Sequence, residues 1–287
     1  MIEKFAGPRA KGLIGGALVF ALGASMAFAA GETIHIDRQS WSFAGVRGHF
    51  DEAQLQRGFQ VYKEVCATCH GLKRISFRNL AEPGGPEFSA EGVKGLAESY
   101  RVEDGPNDQG KMFQRPGRPS DAIPSPYKNE QEARAVQNGA YPPDLSLIIK
   151  ARSAGENTSV FATVGSMLRD IPSGYQEGGA DYVYALLTGY ANPPADMTLA
   201  QGMTYNRAFP GHQIAMVPPL QPGQVKYEDG TQATVEQYAK DVTAFLAWAG
   251  DPKLEERKRM GVLVLLYLLV TAVLVYAAKR RLWAKVH

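Results

Sequence analysis

The chain has two cysteines among its 287 residues, and both fall in Val65-Cys66-Ala67-Thr68-Cys69-His70, with a histidine directly after the second. Three chemistries use such a pair. A structural zinc site needs four ligands, and the other histidines, His35, His49, His212 and His287, do not stand at ligand-like spacing. A redox-active dithiol calls for a preceding strand in a βαβ setting, whereas the residues before Cys66 carry helical periodicity. Covalent haem attachment accounts for all three positions together. Each thiol adds to one vinyl group of the porphyrin, and the next imidazole is carried to the iron as its proximal ligand.

The sixth ligand then separates two classes of protein. An open position binds gases or peroxide, while two protein ligands favour electron transfer. The available donors outside the chain ends are Met112, Met167, Met197, Met203, Met216, His49 and His212. Met216 stands apart through its setting, Phe209-Pro-Gly-His-Gln-Ile-Ala-Met-Val-Pro-Pro-Leu220, where prolines on both sides stiffen the loop that carries the thioether. His212 in the same loop is the competing donor, and a His/His haem would work at lower potential.

These groups need rigid elements to hold them. Asp51 as N-cap, with Gln54 three residues on, opens a helix expected over 51–69. Leu55, Phe59, Tyr62 and Cys66 recur on one face, so the first three read as core and the haem-bearing turn ends the helix. Further helices are expected near 129–138, near 177–189 and from Thr234, where Thr234 and Gln237 form a second capping box and Gly250 and Pro252 mark the end. Much of 80–128 and 190–230 reads as Gly- and Pro-rich loop. The expected architecture is mainly α: a class-I-like c-type cytochrome domain with long loops, plus one C-terminal transmembrane helix.

The two ends are apolar for different reasons. Lys4, Arg9 and Lys11 precede an apolar run that closes on Ala27-Phe28-Ala29-Ala30, the order of a secretory signal peptide over 1–30. From Met260 to Ala278 no charge interrupts the sequence. At a helical rise that run spans about 28 Å, the thickness of a bilayer's hydrocarbon core. A haem-binding domain over 31–254 would thus lie in the periplasm, with an anchor and short cytoplasmic tail over 255–287. Lys279, Arg280, Arg281 and Lys285 agree with a cytoplasmic C-terminus, while Arg257, Lys258 and Arg259 on the other side weaken that signal. The exported part carries 21 basic and 26 acidic side chains, a formal −5, which disfavours nucleic acid and suits a basic partner. Glu103, Asp104, Asp108, Glu130 and Glu132 are the candidate docking acids.

Six blocks in order carry a family resemblance: Trp41–Lys73 with the cysteine motif, Asn-Leu-Ala-Glu-Pro-Gly-Gly at 79–85, Asn-Gly-Ala-Tyr-Pro-Pro-Asp-Leu-Ser-Leu-Ile-Ile-Lys-Ala-Arg at 138–152, Asp-Tyr-Val-Tyr-Ala-Leu-Leu-Thr-Gly-Tyr at 181–190, Tyr205–Leu220 and Asp241–Gly261. Together they resemble the cytochrome c1 family, the haem subunit of quinol–cytochrome c oxidoreductase. The resemblance implies one covalent haem c, with Cys66 and Cys69 as thioether links, His70 and Met216 as iron ligands, and no catalysis by the subunit alone. It implies that Arg152 meets a haem propionate, that Tyr127 and Tyr182 lie in the haem environment, and that Pro142 and Pro143 line a haem face. It also implies cytochrome b and the Rieske iron–sulfur protein as partners in a dimeric complex in the bacterial inner membrane, with a soluble or membrane cytochrome c as acceptor. Residues 153–177 are longer than the short loop of mitochondrial-type members, and no cysteine is left to brace them.

Overall fold

The computed structural model describes residues 34–152, 164, 165, 168 and 178–284; the expected signal peptide and most of the 153–177 segment lie outside them. Helix α1 (Glu52–Glu64) leads into a 3-10 turn at Cys66–Thr68, strand β1 (Leu72–Ser76), a second 3-10 turn at Phe77–Ala81 and helix α2 (Ala90–Glu98). Strands β2 (Arg101–Asp104), β3 (Phe113–Pro116) and β4 (Ala122–Ile123) follow, then helices α3 (Glu130–Val136), α4 (Ile148–Ala151) and α5 (Gly178–Thr188). Strands β5 (Thr204–Tyr205) and β6 (Gln213–Ile214) precede helix α6 (Val235–Gly250) and the long helix α7 (Leu254–Trp283). Three two-stranded antiparallel pairs, β1–β4, β2–β3 and β5–β6, stand among the helices.

The core is built where α1 crosses α6. Leu55, Val61 and Tyr62 from α1 and Tyr238, Val242, Phe245 and Trp248 from α6 are almost wholly buried. Phe59 and Phe245 meet edge to face at 5.5 Å between centroids. Gly58 permits this approach, because a Cβ there would stand 2.1 Å from the Asp241 carbonyl oxygen and 2.6 Å from Phe245 Cβ. Beside the crossing, the fully buried Asp241 carboxylate accepts from Arg57 Nε at 3.0 Å, Gln237 Nε2 at 2.9 Å and Gln54 Nε2 at 3.2 Å. The charge is thereby paired and hydrogen-bonded, as burial demands.

Both expected caps form in half. Asp51 accepts from the Gln54 amide at 2.7 Å and Thr234 from the Gln237 amide at 3.2 Å. The two glutamine side chains do not accept from the N-cap amides to close capping boxes; each donates through its Nε2 to the buried Asp241 carboxylate. Within 80–128, read as loop, the structure has α2 and the β2–β3 hairpin. Ser89 caps α2 through the Gly92 amide at 3.1 Å, and Val93 and Ala97 bury its inner face. Gly92 and Gly95 dilute the helical signal at about 1 kcal/mol each relative to alanine. The hairpin is fastened by Arg115, which pairs with Asp104 and, at 2.6 Å, with Asp121.

Helix α7 starts four residues after α6 ends and is long and apolar enough to cross a membrane, with Val262 to Tyr276 exposed almost throughout. Its first turns are fixed to the domain. Glu255 Oε1 accepts from the Phe50 amide at 2.8 Å, and Lys258 Nζ donates to the carbonyls of Phe43 at 2.7 Å and Gly48 at 3.1 Å. Lys253 pairs with Glu82 at 3.3 Å.

Replacing Gly58 by alanine forces α1 and α6 apart and is expected to cost about 1–3 kcal/mol, read as a lower unfolding midpoint of the domain. Acid provides a second measurement. Hydrogen bonds from Arg115 hold the Asp121 carboxyl at about 2, below its unfolded value of about 4, so this contribution to stability is complete above pH 4 and drains as pH falls toward 2. Asp121→Asn is expected to flatten the loss of stability over that window in an acid titration.

Candidate functional site

Helix α1 ends at Val65, whose amide bonds to Val61 O at 3.0 Å, and the chain tightens into the 3-10 turn. In such a turn side chains three apart align. Cys66 and Cys69 therefore share one edge, with the amides of Cys69 and His70 both on Cys66 O at 3.1 and 2.9 Å. Thr68 Oγ1 secures the turn by donating to Val65 O at 2.7 Å. Both cysteines are half-buried. Burial, with a smaller contribution from Cys69, pushes the Cys66 thiol up to about 12. Helix α1, and not the strand of a βαβ unit, leads into the pair, so the setting does not suit a dithiol oxidoreductase.

His70 shows which of its nitrogens is available. Its Nδ1 lies 2.8 Å from the Pro143 carbonyl oxygen, which can only accept, so Nδ1 carries the proton and Nε2 keeps its lone pair. Burial lowers the imidazole's pKa, opposed by the Pro143 bond and the nearby Asp144 charge, which leaves the neutral, metal-binding form at neutral pH. Tyr62 on α1 donates to His70 O at 3.2 Å.

The Pro142-Pro143-Asp144-Leu145-Ser146 segment is held against the turn along its length. The Leu145 amide bonds to Gly71 O at 2.9 Å, Lys73 N donates to Asp144 Oδ2 at 2.9 Å, and Arg74 N donates to the fully buried Ser146 at 3.1 Å. Asp144 Oδ1 also accepts from Ser146 N at 3.0 Å, an Asx-turn that follows from Asp after Pro-Pro. Tyr127 joins the same side: Gln137 Nε2 donates to its hydroxyl at 2.6 Å and lies 3.5 Å from Cys69 Sγ. Two half-buried thiols on one edge, with an imidazole whose Nε2 is unprotonated, fit a covalently held haem.

The Cytochrome C1 family profile matches residues 41–286. The chain belongs to the cytochrome c1 family. It is 46% identical over 274 residues to "Cytochrome c1" of Blastochloris viridis, covering 94% of both chains, and 41% identical to "Cytochrome c1" of Rhodospirillum rubrum, covering 96% of this chain and 97% of the relative. It is 53% identical over 248 residues to "Cytochrome b/c1" of Bradyrhizobium diazoefficiens, of which it spans 35% of the length. As a cytochrome c1 it carries one covalent haem c and is an electron-transfer subunit of a bc1 complex, with no enzymatic activity of its own.

The structure gathers Cys66, Cys69, His70, Tyr127, Pro142 and Pro143 and places the other expected residues in two further groups. Arg152 follows α4 and its charge acts on the phenol of Tyr182, which burial raises and Arg152 opposes. Tyr182 is buried on α5. Gly179 allows α5 to meet α4, since a Cβ there would lie 1.8 Å from Ile149 O. Met216 is half-buried just beyond β6, and its carbonyl accepts from the Tyr190 hydroxyl at 3.0 Å. His212 has its Nδ1 3.1 Å from Asn206 O and its ring 5.6 Å from that of Tyr205. Of the other methionines, Met112 and Met203 are exposed, and Met167 lies outside the described residues. Gln137, Asp144, Ser146 and Tyr190 escaped sequence reasoning.

Asp144→Ala takes the acceptor from two amides of the clamp. The expected result is a loss of about 1–3 kcal/mol in stability, with haem staining in denaturing gels unchanged because the thioether bonds do not depend on the clamp.

Proposed function

We propose that the protein moves single electrons from the Rieske iron–sulfur cluster to a soluble or membrane cytochrome c. The haem supplies the one-electron redox change, and the polypeptide sets its potential and access. Cys66 and Cys69 would hold it covalently, and His70 Nε2 and the Met216 thioether would supply the two protein ligands of its iron. The observation that carries this reading is the Nδ1 bond from His70 to Pro143, because it leaves a neutral nitrogen donor beside the attachment cysteines. A thioether ligand would favour the reduced iron and raise the potential. Arg152 is assigned to a propionate, and Tyr127, Tyr182 and Pro142 to the haem surroundings.

The haem domain, 31–254, lies in the periplasm after removal of residues 1–30, and the tail after α7 faces the cytoplasm beside cytochrome b in a dimeric complex. Supporting this, two of the three basic residues that blur the charge asymmetry have structural employment. Arg257 pairs with Asp251, and Lys258 donates into the Phe43–Gly48 turn. For the acceptor, the acidic body suits a basic cytochrome. Among the docking candidates, Asp104 is engaged by Arg115 and Glu130 by Arg134, the latter at 2.7 Å, whereas Glu103 and Asp108 are exposed.

Met216→Leu tests the ligand set. The variant is expected to keep its covalent haem, lose the sulfur-to-iron charge-transfer band, bind carbon monoxide rapidly and fall in midpoint potential. A native protein that already lacks the band and takes up carbon monoxide at once would instead be a five-coordinate gas or peroxide binder.

A further inference from the structure

We infer that Tyr190 is a positioning residue for the sixth iron ligand: its hydroxyl, bonded to the Met216 carbonyl, fixes the backbone from which the thioether reaches the iron. The inference rests on Met216 being that ligand.

The loop that carries Met216 is held at three places. On its near side, Asn206 is fully buried, with Nδ2 on Leu186 O at 2.8 Å and Oδ1 accepting from Ala208 N at 2.9 Å. This ties the start of the loop to the end of α5. In its middle, Thr204 pairs with Ile214 and Tyr205 with Gln213. Beyond it, Pro218-Pro219 limits the chain's conformations. Between the second and third of these lie Ala215, Met216 and Val217, outside any strand, with Val217 66% exposed. Among the described hydrogen bonds, the one that reaches this backbone is Tyr190 Oη to Met216 O at 3.0 Å, across 26 residues of sequence.

Tyr190 is itself well placed to act as a post. Its backbone forms an antiparallel bridge with Asn206, and the neighbouring Gly189 carbonyl accepts from Arg207 N at 2.9 Å. The ring is half-buried and spans from this bridge to the far limb of the loop. One side chain therefore connects both limbs through a single neutral hydrogen bond. A thioether is a soft and exchangeable ligand, so the fraction of time it is off the iron depends on the free energy of opening the loop. Removing a bond of ordinary net strength raises that fraction by roughly fivefold.

Tyr190→Phe keeps the ring and deletes the donor. In the haem-loaded full-length protein, the variant is expected to bind carbon monoxide roughly fivefold faster in the ferrous state. Its sulfur-to-iron charge-transfer band is expected to fade at a lower temperature than global unfolding, and its potential to fall. Placing para-aminophenylalanine at 190 restores a donor on the same ring and is expected to reverse these changes. Wild-type carbon monoxide uptake in Tyr190→Phe, or a lower unfolding midpoint with uptake unchanged, would overturn the inference and leave the tyrosine as packing. Failure of the amino ring to restore what phenylalanine loses would do the same. A Met216→Leu protein that retains the band removes the ligand assignment itself, and this inference with it.

Discussion

One hydrogen bond, from His70 Nδ1 to the Pro143 carbonyl, sets the conditions for everything else in the domain. It fixes the tautomer, aims Nε2 away from the bond and locks the plane of the ring. A carbonyl can do this only if it does not move, and 73 residues separate it from the imidazole. Two prolines stiffen its own segment, and the amides of Leu145, Lys73 and Arg74 pair that segment with the chain just after the motif. Both sides of the contact are thus held by hydrogen bonds that come from the polypeptide alone.

The same requirement propagates outward. His70 is placed by the end of α1, through the turn at Cys66 and the Tyr62 hydroxyl on its carbonyl. Helix α1 is placed by its close crossing with α6, which only a glycine at 58 allows. Helix α6 passes after a short turn into α7, whose first residues bond to the segment just before α1 through Glu255 and Lys258. The path from the membrane helix to the imidazole therefore runs through packed helices and short polar bridges. A domain mounted in this way holds its cysteine–histidine turn firmly relative to the first turns of α7.

How much of this the sequence disclosed depended on the range of the contact. The cysteine pair, its histidine, the faces of α1 and α6 and the uncharged span at 260–278 are local patterns that reappear in the structure, although the helix expected over 51–69 stops at Glu64 and a 3-10 turn carries the cysteines. What stayed hidden lies between distant segments. Gln137 approaches Cys69 across 68 residues and Tyr190 reaches Met216 across 26, and neither leaves a periodic trace. The glutamines at 54 and 237 were misread for a related reason. Local grammar offers each a capping box, but both donate to the buried Asp241 carboxylate, which Gln54 reaches across 187 residues and Gln237 from one turn away on the same helix. The β2–β3 hairpin depends on Arg115 meeting Asp104 and Asp121, charges that look like ordinary solvated surface when read singly.

The distribution of charge around the motif follows from its chemistry. A centre that gains and loses one electron changes its own charge at every turnover, and an ionisable neighbour would respond by binding or releasing protons. The described contacts of the turn are mostly neutral: the Pro143 carbonyl, the Tyr62 hydroxyl, the Gln137 amide and the Thr68 hydroxyl. Asp144 is a charged group close by, and its two oxygens are each held by a backbone amide. The strongly paired ions sit elsewhere, Arg57 with Asp241 beside the α1–α6 crossing and Arg115 at the hairpin, where they stabilise the fold. The hydrogen bonds of the cysteine–histidine turn are thus mostly to fixed dipoles, and the ion pairs at the α1–α6 crossing and the hairpin serve the fold.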